Sequence, residues 1–347
     1  MRTAACQLLR CPECKDGGLQ VSDPVVPVIK DGSLQCTMCP ASFVIRNGIP
    51  VFLSDEILRA SSAPAYSTLD SATRQKILQR EWHDTAHIDG DGYKDARYTD
   101  QSLFAFVIYY QLREAETLLA GSRPLRIANV CCGHGFELEF ISLLTKEVIL
   151  IDISEKSLQK AVLRAEQLGL HVEALCCDAE NLPLRPDTFD LVLTHHSLHH
   201  LASPMVGLEE MIRITKSRVA VFEPASGFAR SAVRAFGLRA RVEEAGNVVF
   251  EFNRREVEQL CQNTGARVRY FHKYLITGPT SEPGVFRWLD NRGITPVLCS
   301  GIRTANRLLG RFVGTKCSIF LEKEPQSTVQ DETALRRYVQ TQTNFRE

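Results

Sequence analysis

Four of the twelve cysteines fall as Cys11-Pro-Glu-Cys14 and Cys36-Thr-Met-Cys39. Two thiolates two residues apart sit on one tight knuckle. Two such knuckles close a tetrahedron around a soft divalent ion when the chain between them folds back as a hairpin. All four ligand positions are cysteine, which leaves no open coordination position, so the spacing predicts a structural zinc rather than a catalytic one. No thioredoxin-like helix follows either half, which argues against a redox pair. A second group is His195, His196, His199 and His200, four imidazoles within six residues at the end of an apolar run. Imidazole can take up a proton near neutral pH, and His195 or His196 is the expected general base if the reaction uses one. No neighbouring carboxylate or cysteine in the sequence turns the four into a second metal set. The pairs Cys131-Cys132 and Cys176-Cys177 flank strand ends and read as small buried side chains.

The elements that must position these groups follow a repeating pattern. Ile127, Ala128 and Val130 form an apolar run read as a buried strand, Gly133 and Gly135 make a tight turn, and Phe136, Phe140, Leu143 and Leu144 share one face of a following helix. Such a corner cradles a nucleotide, because glycine lets the ligand approach the backbone while the first helical N–H groups remain free. A second strand, Val148 to Ile153, carries Asp152 at its tip, where ribose hydroxyls are accepted in such folds. Ser154 then caps a helix with Leu158, Ala161, Val162 and Ala165 inward. A third strand runs from Val172 to Cys176 and a fourth from Phe189 to Leu193.

Taken in order, Asn-Val-Cys-Cys-Gly-His-Gly, Leu-Ile-Asp-Ile-Ser, Cys-Asp-Ala-Glu-Asn-Leu-Pro-Leu, Phe-Asp-Leu-Val-Leu and Leu-His-His-Leu resemble the motifs of class I S-adenosylmethionine-dependent methyltransferases. The type 11 branch, which includes quinone-biosynthesis methylases, is the most similar. The resemblance covers roughly residues 102–322 and implies an α/β, Rossmann-like seven-stranded sheet whose last strand is antiparallel. It implies S-adenosyl-L-methionine as cofactor, held by Asn129, Cys131, Gly133, Gly135, Asp152, Ile153, Asp178, Ala179 and Thr194, with the Asp178 carboxylate accepting from the adenine amine. Two positions depart from the family: Asn129 stands where Asp is usual and Cys131 where Gly is usual, both at the methionine end. The flanks of the cysteine knuckles resemble the small zinc-ribbon partner of RNA and protein methyltransferases, here fused in cis.

The totals bound the function class. Lys plus Arg equals Asp plus Glu at 41 each, and the ribbon region is not basic. That balance argues against a nucleic-acid partner. Hydrophobic residues make up 44% of 347, enough for a large and a small domain. No stretch approaches the ~18 apolar residues of a membrane span, and scattered free cysteines suit a reducing compartment, so the expected location is cytoplasmic.

The expected layout is a zinc ribbon over 1–54, a linker and cofactor-lid segment over 55–100, a methyltransferase domain over 101–324 with lid insertions near 226–246 and 277–314, and a flexible tail over 325–347. Trp82, Tyr93 and Tyr98 are candidate apolar cover for the cofactor, and Leu103 to Leu119 reads as one amphipathic helix. Arg230, Arg234, Arg239 and Arg241 fall in the first insertion, Arg287, Arg303, Arg307 and Arg311 in the second. A basic amphipathic lid suits an anionic or lipid-like acceptor and allows contact with a membrane surface. The expected function is therefore methylation, at O or C, of a small-molecule or lipid-like biosynthetic acceptor. An RNA methyltransferase using the ribbon as a handle is the alternative, and a non-catalytic cofactor-binding protein a third.

Overall fold

The computed structural model describes residues 1–21, 27–59, 61–85, 97–119, 124, 126–227, 246–275 and 288–324. Tyr93, the arginines at 230, 234, 239, 241 and 287, and the tail 325–347 lie outside the described residues.

Seven strands form the large sheet: β5 (Ile127–Val130), β6 (Glu147–Asp152), β7 (His171–Cys176), β8 (Phe189–His195), β9 (Thr215–Pro224), β10 (Ala266–Tyr274) and β11 (Lys316–Lys323). Their order is β10-β11-β9-β8-β5-β6-β7. The strands β7, β6, β5, β8 and β9 run parallel, and β11 is inserted antiparallel between β9 and β10. This is the seven-stranded sheet implied by the motif series. The central strand β5 is buried at every residue, as expected where helices cover both faces and the strand reads as a continuous apolar run. The order reverses between β5 and β8, so their carboxyl ends open the crevice where such sheets place ligands.

The helices are set by local signals. Ser154 accepts from Ser157 N and starts α6 (Glu155–Gln167), and Asn253 accepts from Glu256 N and starts α8 (Arg254–Thr264). Gly265, at φ 65°, ends α8 in the left-handed conformation that glycine adopts without strain. The stretch read as one helix is two, α3 (Leu103–Ile108) and α4 (Tyr110–Leu119), broken at Tyr109 (ψ 10°). Tyr109 is fully buried and its ring stacks on Phe136 at 4.8 Å, so packing against the glycine corner takes precedence over helical continuity. The remaining helices are α1 (Asp55–Leu58), α2 (Ser71–Thr85), α5 (Leu138–Ser142), α7 (Pro204–Ile214) and α9 (Thr295–Val313).

The amino-terminal segment forms a four-stranded antiparallel sheet of β1 (Leu19–Val21), β2 (Gly32–Cys36), β3 (Ser42–Arg46) and β4 (Ile49–Pro50). It does not stand apart. Val51 bridges Cys176 in parallel, and Leu9 bridges Leu184 antiparallel. Leu9, Leu34, Phe43, Ile45 and Phe52 share one apolar core with Val130, Ile151 and Leu175 of the large sheet. The small sheet thus covers the edge strand β7, whose backbone would otherwise offer a template for another chain. Arg2 also reaches the buried Glu173 on β7, its backbone N–H 3.1 Å from Oε2.

Helix α9 lies so close to β10 that a Cβ added at Gly310 would sit 2.5 Å from the Lys273 carbonyl oxygen. Backbone cannot yield there. We expect Gly310→Ala to destabilise the fold by about 1–3 kcal/mol, the usual range for an overpacked contact, read as a lower urea midpoint at unchanged m-value.

Candidate functional site

The carboxyl ends of β5, β6, β7 and β8 and the loops that follow them converge on one corner. The turn after β5 is built from left-handed residues: Cys131 at φ 54°, Gly133 at 49° and Gly135 at 74°. A Cβ at Gly135 would meet Leu138 Cδ1 at 2.4 Å, whereas at Gly133 nothing lies within 4 Å. Gly135 is therefore needed for close packing of α5, and Gly133 leaves its backbone open toward the crevice. Cys131 adopts at a cost of about 1–2 kcal/mol the conformation that glycine adopts freely. This is the physical cost of cysteine where the motifs it resembles usually have glycine. The Cys132 side chain turns into the core below α5 and does not fill the crevice. Cys131 is partly exposed beside the turn. Burial of the thiol, with Asp152, Glu223 and Asp178 nearby, pushes it well above the usual range, which disfavours the thiolate.

Asp152 is buried and points back at the turn. Its Oδ2 accepts from Gly133 N at 2.8 Å and its Oδ1 from Ser154 N at 2.9 Å. Burial raises its pKa, while the two N–H donors and the charge of His83 act in the opposite direction. Each oxygen accepts one bond here and has a lone pair left. Ile153 follows, half-buried, its carbonyl facing the Cys176 thiol at 3.5 Å. Asp178 and the buried Ala179 open the loop after β7; Asp178 Oδ1 accepts from Glu180 N at 2.9 Å and Oδ2 pairs with Lys76 Nζ at 2.6 Å.

Lys76 falls in the stretch expected as linker and cofactor lid over 55–100. Within that stretch Ser71–Thr85 form helix α2, which crosses the crevice. Gln75 Nε2 donates to the carbonyls of His200 and Leu201 at 2.9 and 3.1 Å, Lys76 also reaches Glu180 at 2.8 Å, and Asp84 accepts from Ser154 Oγ at 2.6 Å. One helix thereby ties the loops after β6, β7 and β8. Trp82, half-buried, packs edge-on against the His83 ring at 4.8 Å. Tyr98 is buried under α4 instead, its hydroxyl 2.5 Å from Glu116, so it packs the fold rather than covering the crevice.

The four histidines separate into distinct roles. His199 is paired through Nδ1 with the fully buried Glu223 at 2.6 Å, and the other Glu223 oxygen accepts from Ser197 N and Leu198 N. His200 Nδ1 lies 3.1 Å from Asn247 Oδ1. Both hold the loop. His196 has φ 54°, and its Nε2 accepts from Lys316 Nζ at 3.2 Å. Burial and that ammonium push its pKa well down, and its lone pair is already used. His195 differs. Its Nδ1 is 3.2 Å from Glu137 Oε1, and its buried Nε2 has no partner. The second Glu137 oxygen accepts from Asn129 Nδ2 at 3.2 Å. Glu137, missed in the sequence, thus joins the departing residue Asn129 to one histidine. Its position two residues after Gly135 was the available signal. Two further buried polar atoms at this edge, Asn129 Oδ1 and Thr194 Oγ1, also lack a protein partner. Buried polar atoms are seldom left so unless a ligand or water satisfies them, so the residues present fit a polar ligand in the crevice.

Away from the crevice, the thiols of Cys11, Cys14, Cys36 and Cys39 all lie within 4.8 Å of one another. The Cys11–Cys39 and Cys14–Cys36 sulfurs are 3.7 and 3.6 Å apart. A tetrahedron with ~2.3 Å metal–sulfur bonds has edges of about 3.8 Å, so the set fits a zinc ion. Gly17 is needed here, since a Cβ would stand 2.3 Å from Cys36 Sγ. Backbone N–H groups at Met38 and Gly17 face the sulfurs of Cys36 and Cys14, each at 3.3 Å, and such donors favour thiolates. Among the described residues this is the one group arranged for a metal; the four histidines, with Glu137 and Glu223 beside them, are not.

Residues 128–222 match a family described as a methyltransferase domain. Ubiquinone biosynthesis O-methyltransferase of Parvibaculum lavamentivorans is 31% identical over 86 residues, 25% of this chain and 34% of that protein. The enzyme of the same name from Roseobacter denitrificans is 35% identical over 90 residues, 25% of this chain and 36% of that one. The chain therefore spans only about a third of these relatives. Among solved structures, magnesium protoporphyrin IX methyltransferase from Synechocystis with bound SAH is similar at 13% identity and a TM-score of 0.49, over 72% of this chain and 100% of that one. The matched stretch runs from β5 into β9 and contains the crevice residues described above except those on α2 and β11, Glu223 and Asn247.

Proposed function

We propose that the chain is an S-adenosylmethionine-dependent methyltransferase acting on a hydroxyl of a small, biosynthetic acceptor, with His195 as general base. The observation that carries this reading is the unpartnered, buried Nε2 of His195, its Nδ1 held by Glu137 at the edge of the crevice. The names of the matched relatives support an O-acceptor. The cofactor, when bound, supplies an electrophilic methyl group on a sulfonium. The open Gly133 backbone, Asn129 Oδ1, Thr194 Oγ1 and the spare acceptor positions of Asp152 and Asp178 are the groups available to seat it, with Cys131, Gly135, Ile153 and Ala179 shaping the turn and loop around them.

Transfer to a hydroxyl leaves a proton to remove, and positioning accounts for much of the remaining acceleration. Glu137 accepts from His195 Nδ1–H, which fixes the tautomer with a free lone pair on Nε2 and stabilises the imidazolium once that atom takes the proton. His196 is poorly suited to this role because Lys316 already donates to its Nε2. Helix α2 limits water above the site through its ties to three loops.

Two further assignments accompany this reading. The four cysteines hold a structural zinc. Helix α9 touches an anionic lipid surface near the acceptor's source: Val297, Leu308 and Phe312 are exposed on one face, with Arg303, Arg307 and Arg311 along its flank. No helix among the described residues is long and apolar enough to cross a membrane.

His195→Ala is expected to lower turnover by about 10²–10⁴-fold, the usual weight of a general base, with cofactor affinity by calorimetry nearly unchanged. Equal losses of both would reduce His195 to a packing residue. Metal analysis of the purified protein should give about one zinc per chain, consistent with a closed four-cysteine site; a metal-free, normally folded protein would remove that assignment. Flotation should show binding to phosphatidylglycerol vesicles, lost at high salt and in Leu308→Glu/Phe312→Glu. Binding that survives both changes would mean α9 is not the contact.

A further inference from the structure

The loop that carries Asp178 and Ala179 is fastened along its length to the cysteine-bearing sheet. At its start, Phe52 N donates to Cys176 O at 2.8 Å. In its middle, Asn181 Nδ2 donates at 3.2 Å to the carbonyl of Pro12, the residue directly after Cys11 in the first knuckle. At its end, Arg10 N donates to Pro183 O at 3.1 Å and Arg185 N to Leu8 O at 2.9 Å, around the Leu9–Leu184 bridge. From the other side α7 fixes the same loop, with Leu182 N donating to Glu210 at 2.7 Å and Arg213 donating to the Leu184 and Leu182 carbonyls at 2.7 and 3.1 Å. The first knuckle is itself rigid at this contact: Cys11 N donates to Gly17 O at 2.8 Å, and Lys15 N to Cys11 O at 3.0 Å.

We infer that the four-cysteine knuckle is a positioning device for the nucleobase loop, so that metal ligation at Cys11, Cys14, Cys36 and Cys39 and nucleotide binding at Asp178 are energetically linked through the Asn181–Pro12 contact. This rests on the reading of the crevice as a nucleotide site and of the cysteines as a zinc site. The physical route is short. Ligation of Cys11 and Cys14 fixes the peptide of Pro12 between them. That peptide orients Asn181, three residues after Asp178 in a loop where Asn181 N also donates to Asp178 O at 3.0 Å. A metal-free knuckle has four thiols with no shared partner, so the Pro12 carbonyl loses its fixed place and the loop samples more arrangements. Any such difference is reciprocal: what metal does for nucleotide affinity, nucleotide does for metal retention.

The test uses full-length protein and S-adenosylhomocysteine as the nucleoside probe. Calorimetry of zinc-loaded and chelator-stripped protein should show affinity for the probe falling at least about fivefold on stripping, the lower end of ordinary coupling between sites. In the reverse direction, saturating probe should slow zinc transfer to a colorimetric chelator by a comparable factor. Asn181→Ala, kept zinc-loaded, should bind the probe several-fold more weakly and lose most of the protection against the chelator, while Asn181→Asp, which cannot donate to the carbonyl, should behave likewise. If stripping unfolds the chain, judged by circular dichroism, the two zinc-loaded variants and the chelator rates decide. A wild-type protein that holds zinc and binds the probe, yet shows equal chelator rates with and without it and equal affinity in Asn181→Ala, overturns the linkage while leaving the methyltransferase reading intact. A protein that binds no probe overturns both.

Discussion

The crevice depends on one buried carboxylate. Asp152 accepts from Gly133 N on the turn after β5 and from Ser154 N at the head of α6, so a single side chain sets the spacing of two adjacent strand–loop–helix units. Desolvation disfavours its charge, and the two amide donors and the nearby His83 offset part of that. Hydrogen bonds to a charged group contribute roughly 1.5–3 kcal/mol each, which makes the arrangement sustainable only while both donors stay in place. The left-handed backbone at Cys131, Gly133 and Gly135 presents the Gly133 N–H to it.

Around that centre the same device recurs. Glu137 spans Asn129 and His195, and Glu223 spans His199 and the backbone of Ser197 and Leu198. Each is a buried acid that uses both oxygens: Glu137 joins β5 to β8, and Glu223, on β9, holds three neighbours in the loop after β8. The pattern separates His195, with its unpartnered buried Nε2, from His199 and His200, whose Nδ1 atoms hold the loop, and from His196, whose Nε2 accepts from Lys316. It also gives Asn129 a role: an amide there donates to Glu137, whereas a carboxylate at the same place would repel it. Asparagine at this position therefore suits the carboxylate that this chain places opposite.

The small sheet and helix α2 act on the site from outside it. The former covers the edge of β7 and grips the loop after it; the latter crosses the crevice and pairs Lys76 with Asp178 and Glu180. Between them they fix the loop after β7 from two directions. The amino-terminal module has its apolar face committed to the large sheet, so it acts on the site as part of one packed body.

What the sequence determined by itself is local. Alternating turns, caps and apolar runs specify strands β5 to β8 and the helices after the first two, because hydrophobic period and φ requirements are set within a few residues. Two C-x2-C knuckles specify their own ligand set for the same reason. Which side chain reaches which is set by the fold alone. Glu137 and Glu223 were visible as letters, but their pairing with His195 and His199 depends on how α5 and β9 lie against β8. Tyr109 looked like one more helical residue until the glycine corner claimed its ring. The stretch over 55–100 reads as linker and lid, and only the contacts of α2 with three separate loops show which of its side chains reach the crevice. Long-range contacts leave no periodic trace in a single chain, because the distance that matters is measured across the fold and not along it.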